Sequence, residues 1–171
     1  MTHQSRRIAP TPAAVVLVLC ACAPRTPPAP RALEARLALR TRDTVLIHAA
    51  ATAQRCERGK GMLLVGTDGG AGVLLWARAP GPLPTGDYPV LPRGDSTTPR
   101  GATVSVRYMN AEASLGVMLD SGTVAFTLTG DRVSAHIRGS GLEPAGGVRA
   151  GLDAVFSPLL VAPDSASCRQ L

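Results

Sequence analysis

Aromatic side chains are scarce in this sequence, which contains one Trp, two Tyr and two Phe among 171 residues. Proteins that bind single-stranded nucleic acid stack several clustered rings on the bases, so the composition argues against that function. Charged residues are also few, at 18%, whereas apolar residues reach 45%. This composition excludes a disordered charged tail, and a chain of this length is expected to fold as one domain around a packed core.

Lysine is almost absent, since Lys60 is the only lysine among 18 basic residues and all the others are arginine. The formal net charge is +6, but the positive charges are scattered, and some stand beside acidic residues, as Arg132 does beside Asp131. Nucleic-acid-binding proteins concentrate their basic residues in one stripe or patch. The sequence therefore predicts a slightly cationic, solvated surface and no nucleic-acid partner.

The first residues lack an apolar run long enough to span a membrane, which takes ~20 residues. Their apolar stretch covers only Ala13–Ala23 and follows the basic pair Arg6 and Arg7. A basic start followed by a short apolar stretch is typical of a secretory signal peptide, although a buried helix of a cytosolic protein is the alternative. Ser5-Arg6-Arg7 leaves twin-arginine export open beside the ordinary secretory route.

The end of this stretch, Leu19-Cys20-Ala21-Cys22, resembles the lipobox of bacterial lipoproteins, in which a Leu stands three residues before the modified cysteine. The resemblance implies that residues 1–21 are a signal peptide and that Cys22 becomes the lipidated first residue of the mature chain. Two or three acyl chains there would hold the protein at a membrane more firmly than one. Ala23, in place of Asp, implies the outer membrane, with the protein facing the periplasm.

Prolines concentrate directly after Cys22, at four of the eight positions from Ala23 to Pro30. Proline lacks the backbone donor that helices and sheets need, and proline-rich segments favour an extended polyproline geometry. We therefore expect residues 22–34 to be a linker that holds the domain formed by residues 35–171 clear of the membrane.

Cysteine is rare, and the lipoprotein resemblance accounts for two of the four. Cys20 would leave with the signal peptide and Cys22 would carry lipid, which leaves Cys56 and Cys168. Because exported compartments are oxidising, these two are predicted to form a disulfide. A free thiol and a metal ligand are the alternatives, although neither cysteine has a Cys-x-x-Cys motif or a nearby His. No metal site and no cofactor are predicted.

The domain is predicted to be all-β. All 18 glycines lie between Gly59 and Gly151, where short apolar segments alternate with turn residues. Gly130-Asp131 predicts a tight two-residue hairpin turn. Four segments alternate apolar and polar residues with the period of a strand, namely Thr103–Tyr108, Thr123–Thr129, Val133–Arg138 and Val148–Phe156.

Other segments are expected to add strands to these four. Met62–Gly66 and Val73–Ala77 are continuous apolar segments around a turn, and Tyr88–Leu91 is expected to be a short edge strand. Thr44–Thr52 is a candidate strand, and Ala32–Arg42 is either a strand or one or two helical turns. The prediction is an antiparallel β-sandwich or small barrel of about eight short strands.

Candidate catalytic residues are few. Asp120-Ser121-Gly122 resembles the Asp-Ser-Gly loop of aspartic proteases, which place two such carboxylates face to face, and a turn between two strands is the alternative. His136 lies on the polar face of a predicted strand, but no Gly-x-Ser-x-Gly nucleophile motif accompanies it. Trp76, the single Trp, is interpreted as a core or rim residue, with ligand stacking as the alternative.

These observations favour a lipid-anchored, exported envelope protein of unknown molecular activity. Its β-domain is expected to bind an envelope protein or a small ligand without catalysis, or to have a structural role. The alternative is an exported hydrolase that uses Asp120 or His136.

Overall fold

The computed structural model describes residues 31–40, 43–56, 60–110, 113–144, 147 and 149–163. Within those residues all regular secondary structure is β-strand, which confirms the all-β prediction. No helix in this part of the chain is long and apolar enough to cross a membrane. The strands are β1 (Leu33–Leu39), β2 (Thr44–Ala49), β3 (Ala51–Cys56), β4 (Gly61–Asp68), β5 (Ala71–Arg78), β6 (Gly86–Pro89), β7 (Gly101–Met109), β8 (Ser114–Thr129), β9 (Arg132–Leu142) and β10 (Arg149–Ala162).

Seven of the strands close into a barrel. The ring runs β3, β4, β5, β7, β8, β9 and β10, and β10 then pairs with β3. Neighbours in the ring are antiparallel except β10 and β3, which run parallel where Val161 lies opposite Ala53 and Ala162 opposite Gln54. Of the two predicted architectures, the barrel is therefore the one that forms. The described residues contain ten strands where about eight short ones were expected, and β8 has 16 residues and β10 has 14.

The remaining three strands, β6, β1 and β2, attach to the ring at its two long strands, β8 and β10, each of which changes its pairing partner along its length. Residues Ser114–Met118 of β8 pair with β7, whereas Thr123–Phe126 pair with β6. In the same way, Ala150–Phe156 of β10 pair with β1, and only the last residues of β10 pair with β3. β2 extends the sheet by pairing with β1. Strand β6 and the β1–β2 hairpin therefore act as two inserted pieces, each filling a gap where the ring strands diverge.

The barrel interior is lined by alternate residues of its strands, because successive side chains of a strand point to opposite faces. On the neighbouring strands β4, β5 and β7, Leu64, Leu75 and Val104 are fully buried. The residues directly before and after each of them along its own strand are partly exposed. Most interior side chains are Val, Leu, Ile or Ala. Small aliphatic residues suffice because a ring of seven or eight strands leaves an interior just wide enough for side chains to fill.

Two of the five aromatic residues attach the inserted strand β6. The rings of Tyr88 on β6 and Phe126 on β8 meet edge to face, with centroids 5.3 Å apart. The Tyr88 hydroxyl donates a hydrogen bond to the Pro84 carbonyl at 2.7 Å, and the Arg100 guanidinium lies 4.5 Å from the ring centroid of Tyr88. These contacts attach β6 to the barrel, and burial raises the pKa of Tyr88 despite the nearby Arg100 charge.

The predicted hairpin is confirmed. β8 ends at Thr129 opposite Arg132 at the start of β9, so Gly130 and Asp131 form a two-residue turn. Gly130 has a φ of +61°, a conformation that glycine adopts without the steric cost paid by other residues. The other predicted strands form with boundaries shifted by a few residues, and Ala32–Arg42 contributes the strand β1 rather than helical turns.

Two boundaries differ from the predictions. The expected Asp-Ser-Gly turn at residues 120–122 does not occur, because β8 continues through it with a bulge between Leu119 and Ser121. Gly122, directly after the bulge, has a φ of +128°, a backbone conformation that residues with a side chain rarely adopt. The expected strand Thr44–Thr52 is two strands, since the chain changes partner from β1 to β4 after Ala49.

Candidate functional site

The strongest candidate site is an open groove on the outer wall of the barrel. It crosses β4, β5, β7 and β8 near the hairpin that joins β7 to β8, and its volume is about 680 Å³. That volume lies in the range of ~300–1,000 Å³ typical of small-ligand sites. We call it the outer groove, and the residues that shape it include Val65, Gly72, Leu74, Ser105, Arg107 and Gly116.

The outer groove exists because small residues occupy outward-facing positions on adjacent strands. The strand register places Gly72 of β5 opposite Arg107 of β7, and Arg107 in turn opposite Gly116 of β8. Ser105 is the next outward residue of β7. Since directly opposed residues of antiparallel strands share a face, Arg107 is flanked on both sides by residues that have no side chain. The outer surface of the barrel is therefore recessed on both sides of the Arg107 side chain.

One side of the outer groove is apolar. Val65 of β4 lies opposite Leu74 of β5, and Leu74 lies opposite Ser105 of β7. Val65 and Leu74 are both partly buried, although they point away from the barrel interior. Trp76 extends the same apolar surface along β5, and its ring covers Gly61, where an added Cβ would lie 2.5 Å from a ring carbon. Trp76 is thus a rim residue of the outer wall, as predicted.

Arg107 is the charged residue of the outer groove. Its Nε donates a hydrogen bond to the Ser114 hydroxyl at 2.7 Å, which fixes the direction of the side chain. Among the described residues no carboxylate forms an ion pair with Arg107. Its side chain is exposed, and none of the other groove-lining residues is acidic. An arginine that is positioned but not neutralised can donate hydrogen bonds to an anionic ligand.

Asp120, the first catalytic candidate, is held in an ion pair. Its two carboxylate oxygens accept hydrogen bonds from Arg149 at 2.8 and 3.2 Å, and Arg149 also donates to the hydroxyls of Ser121 and Ser140. The hydrogen bonds from Arg149 lower the pKa of Asp120. The carboxyl therefore stays ionised, and the cluster ties β8, β9 and β10 together at the bulge.

His136, the second candidate, lies elsewhere on the wall. Its Nε2 is 2.9 Å from Asp153, whose other carboxylate oxygen is 3.6 Å from Arg138. His136 lies opposite Ala125, whereas Ser121 lies opposite Ser140, so about 13 Å of strand separates the two candidates. The structure does not bring Asp120 and His136 together, and the groove-lining residues include neither.

The predicted cysteine sites are only partly within the described residues. Cys56 is fully buried at the end of β3. Cys22 and Cys168 lie outside the described residues, so lipidation and the disulfide stay predictions. Within the described ranges no group of three His, Cys, Asp or Glu side chains is arranged to hold a metal ion.

The sequence did not indicate a buried polar pair on the inner face of β7, the face opposite to that of the outer groove. Tyr108 and Glu143 are 3% and 7% exposed, and the Tyr108 hydroxyl donates a hydrogen bond to Glu143 at 3.1 Å. Burial, and secondarily this hydrogen bond, raises the pKa of Tyr108. The pair connects the ends of β7 and β9 next to Arg107. Both residues look unexceptional in the sequence, and only the register places them together.

Comparison with known proteins assigns no function. No protein-family model matches the chain, and neither the curated proteins nor the solved structures include a significant match. A function must therefore be argued from the chemistry of the outer groove and the sequence of the N-terminal segment.

Proposed function

We propose that the protein is a lipid-anchored, exported protein of the cell envelope, whose barrel binds a small ligand in the outer groove without catalysing its conversion. The observation that supports binding most directly is Arg107, which has no ion-pair partner among the described residues and lies between two glycines beside the apolar surface of Val65 and Leu74. This combination of an apolar wall and one oriented polar group is typical of small-ligand sites.

The membrane anchor is proposed on the sequence of the first residues. Lipidation of Cys22 would place the protein at the outer membrane, facing the periplasm, as the lipobox resemblance implies. The proline-rich segment from Cys22 to Pro30 precedes the first described residue, Arg31. In polyproline geometry those residues would span about 28 Å. That reach would let a barrel stand clear of the lipid headgroups while it meets ligands in the surrounding fluid.

Binding is preferred to catalysis because of the groups that the groove offers. Among the described residues that line it, Arg107 has the only ionisable side chain, and an arginine does not exchange protons near neutral pH. The exported hydrolase using Asp120 or His136 would need a general acid or base, yet Asp120 holds both oxygens in hydrogen bonds with Arg149, which lower its pKa and so weaken it both as a proton donor near neutral pH and as a base. Alanine at Asp120 or His136 should therefore remove no activity, and loss of a hydrolytic activity in a stable variant would contradict the proposal.

A disulfide between Cys56 and Cys168 is part of the proposal. Ala162, the last residue of β10, lies opposite Gln54, and the two strands run parallel. The chain therefore leaves β10 in the direction in which β3 continues to Cys56. Full burial of Cys56 suits a structural cysteine in an exported protein.

The anchor is tested by intact mass of the protein from the membrane fraction of a bacterium that processes lipoproteins. We expect a chain that begins at Cys22 and carries added acyl mass. Cys22→Ser should abolish processing and membrane retention, whereas the matched variant Cys20→Ala should retain both. A full-length, unprocessed and soluble wild-type chain would overturn the anchored role.

A further inference from the structure

The outer groove combines one positive charge with an apolar surface, and the two features occupy different sides. Arg107 lies in the row of Gly72 and Gly116, while Val65 and Leu74 lie one outward row away. Outward residues two positions apart along a strand are separated by about 7 Å. A ligand that satisfies both rows must carry its charge at one end and an apolar body at the other.

The charge of the site favours a singly charged anion. Arg107 Nε is already hydrogen-bonded to Ser114, so the two terminal nitrogens remain to donate in parallel to a planar acceptor with two oxygens. A carboxylate has that geometry and balances one guanidinium. A phosphate monoester carries up to two charges, and its second charge would face an apolar wall without a partner.

We propose that the outer groove binds a small amphiphilic carboxylate, whose carboxylate pairs with Arg107 and whose aliphatic chain lies on Val65 and Leu74. This inference rests on the proposed binding function and adds the chemical class of its ligand. Gly72 and Gly116 have a defined role in it, because they let the carboxylate reach the guanidinium from above the sheet.

The structure supplies its own reporter for this binding. Trp76 is the only Trp of the chain and follows Leu74 by two positions on the same face of β5. An aliphatic chain lying on Leu74 would change the polarity around the indole, and tryptophan emission depends on that polarity. Octanoate is a suitable probe, with octanol as its neutral counterpart and octyl phosphate as its more highly charged counterpart.

The experiment titrates each probe into the full chain carrying Cys22→Ser, which keeps acyl groups off the protein and makes detergent unnecessary. We expect a saturable change of Trp76 emission with octanoate. Octanol should bind roughly tenfold or more weakly, because it cannot form the charge-assisted hydrogen bonds. Arg107→Gln should weaken octanoate by a similar factor and leave octanol unchanged, whereas Arg132→Gln, at the start of β9 and far from the outer groove, should change neither.

A second variant fills the site without disturbing the fold. A Cβ added at Gly116 would meet only the Val106 carbonyl oxygen, at 3.6 Å, so we expect Gly116→Val to keep the fold while its side chain projects into the outer groove. It should abolish binding of octanoate. The matched control is Gly151→Val on the outer face of β10, where an added Cβ meets nothing within 4 Å. That variant should bind like the parent chain.

The outcomes separate the ligand class from the binding function. If octanol or octyl phosphate binds as tightly as octanoate, or if Arg107→Gln has no effect, the carboxylate assignment is overturned while groove binding survives. If octanoate binds equally well to Gly116→Val, the outer groove is not the site. If no probe changes the emission of the parent chain, the carboxylate inference falls, and the anchor is judged separately by the mass of the membrane-bound chain.

Discussion

Asp95 organises the loop between β6 and β7 through its side chain. Its carboxylate accepts hydrogen bonds from the backbone amides and hydroxyls of Thr97 and Thr98, the shortest being 2.6 Å from the Thr98 hydroxyl. Arg78 also binds the loop by donating to the carbonyls of Asp95 and Thr98. The hydrogen bonds that the Asp95 carboxylate accepts from Thr97 and Thr98, those from Thr98 above all, hold the pKa of Asp95 well below its ordinary value.

The lowered pKa of Asp95 predicts how the contribution of this carboxylate to the stability of the fold depends on pH. The ionised carboxylate is favoured in the folded state, so its stabilisation is complete above the unfolded pKa of about 3.9 and declines as the pH falls through and below it. Asp95→Ala should lower the melting temperature at pH 7, and the difference from wild type should shrink towards pH 3. Thermal melts across that range measure it.

The control for Asp95→Ala is Asp131→Ala, in the β8–β9 turn. Among the described residues, no Arg or His forms an ion pair with the Asp131 side chain. Its substitution should have a small effect at every pH. A difference between wild type and Asp95→Ala that stays constant or grows on acidification would contradict the assignment.

The residues of the outer groove show which properties of a single residue can be predicted from the sequence and which depend on the fold. Alternation correctly placed Arg107 on the outer face of its strand, because that face depends only on neighbouring residues. Its importance depends on Gly72 and Gly116, which become its neighbours through strand register. Asp120 is a candidate in the sequence because Asp120-Ser121-Gly122 resembles an aspartic-protease loop, but its partner Arg149 follows 29 positions later. Such contacts are set by the tertiary fold and leave no local pattern.

Strands β8 and β9 approach each other unusually closely at the bulge. Gly122 lies against the backbone of Arg138 and Gly139, and Gly141 lies against the backbone of Met118 and Leu119. An added Cβ at Gly141 would lie 2.6 Å from the Leu119 Cα. Backbone atoms cannot move away as a flexible side chain can, so this crossing requires glycine.

Gly141→Ala should therefore destabilise the barrel by about 1–3 kcal/mol, the usual cost of overpacking, or more. Gly151→Ala, in a strand where the added Cβ meets nothing, should be neutral or stabilise by ~0.4–1 kcal/mol, because alanine restricts the unfolded chain. Urea denaturation of both variants gives the comparison. Equal effects of the two substitutions would show that the close approach has no energetic weight.

At the level of elements, the β8–β9 hairpin was predictable and the first half of β8 was not. The hairpin is defined by two alternating segments and a two-residue turn, all of which are local. Asp120-Ser121-Gly122 has the composition of a turn, yet the chain forms a bulge between Leu119 and Ser121 within a continuous strand. The bulged strand forms in place of a turn because this segment pairs with β9, whose Gly139 and Gly141 leave room for the bulge.

The barrel is closed by a short pairing between β10 and β3, which we call the seam. β10 and β3 share only two residue pairs, whereas β8 and β9 are paired along nearly their full length. The proposed disulfide would join the chain next to that seam. Its loop from Cys56 to Cys168 corresponds to about 4–5 kcal/mol in the chain-entropy treatment.

Reduction of the disulfide should lower the melting temperature markedly. Cys56→Ala, Cys168→Ala and the double variant should melt like the reduced protein and should no longer respond to reductant. The matched control is Cys22→Ser, which should melt like wild type and keep its response. Melting of the wild type that is indifferent to reductant would contradict the bridge.

The sequence predicted the all-β class of the molecule but not how the barrel closes. The class follows from strand periodicity and abundant turn residues, which act locally. The insertion of β6 and of the β1–β2 hairpin depends on where β8 and β10 change partner. No segment of the chain carries that information alone, so a sandwich and a barrel could not be separated beforehand.

The pairing of the first strand with the last has a consequence for biogenesis. Leu39 lies opposite Ala150, so β1 must wait for ~110 later residues before its partner is available, and closure at β3 waits for Ala162. A chain emerging progressively from a translocation channel cannot complete the ring until nearly all of it has been delivered. In the export proposed for this protein, that topology would keep the polypeptide open and threadable until it reaches its destination compartment.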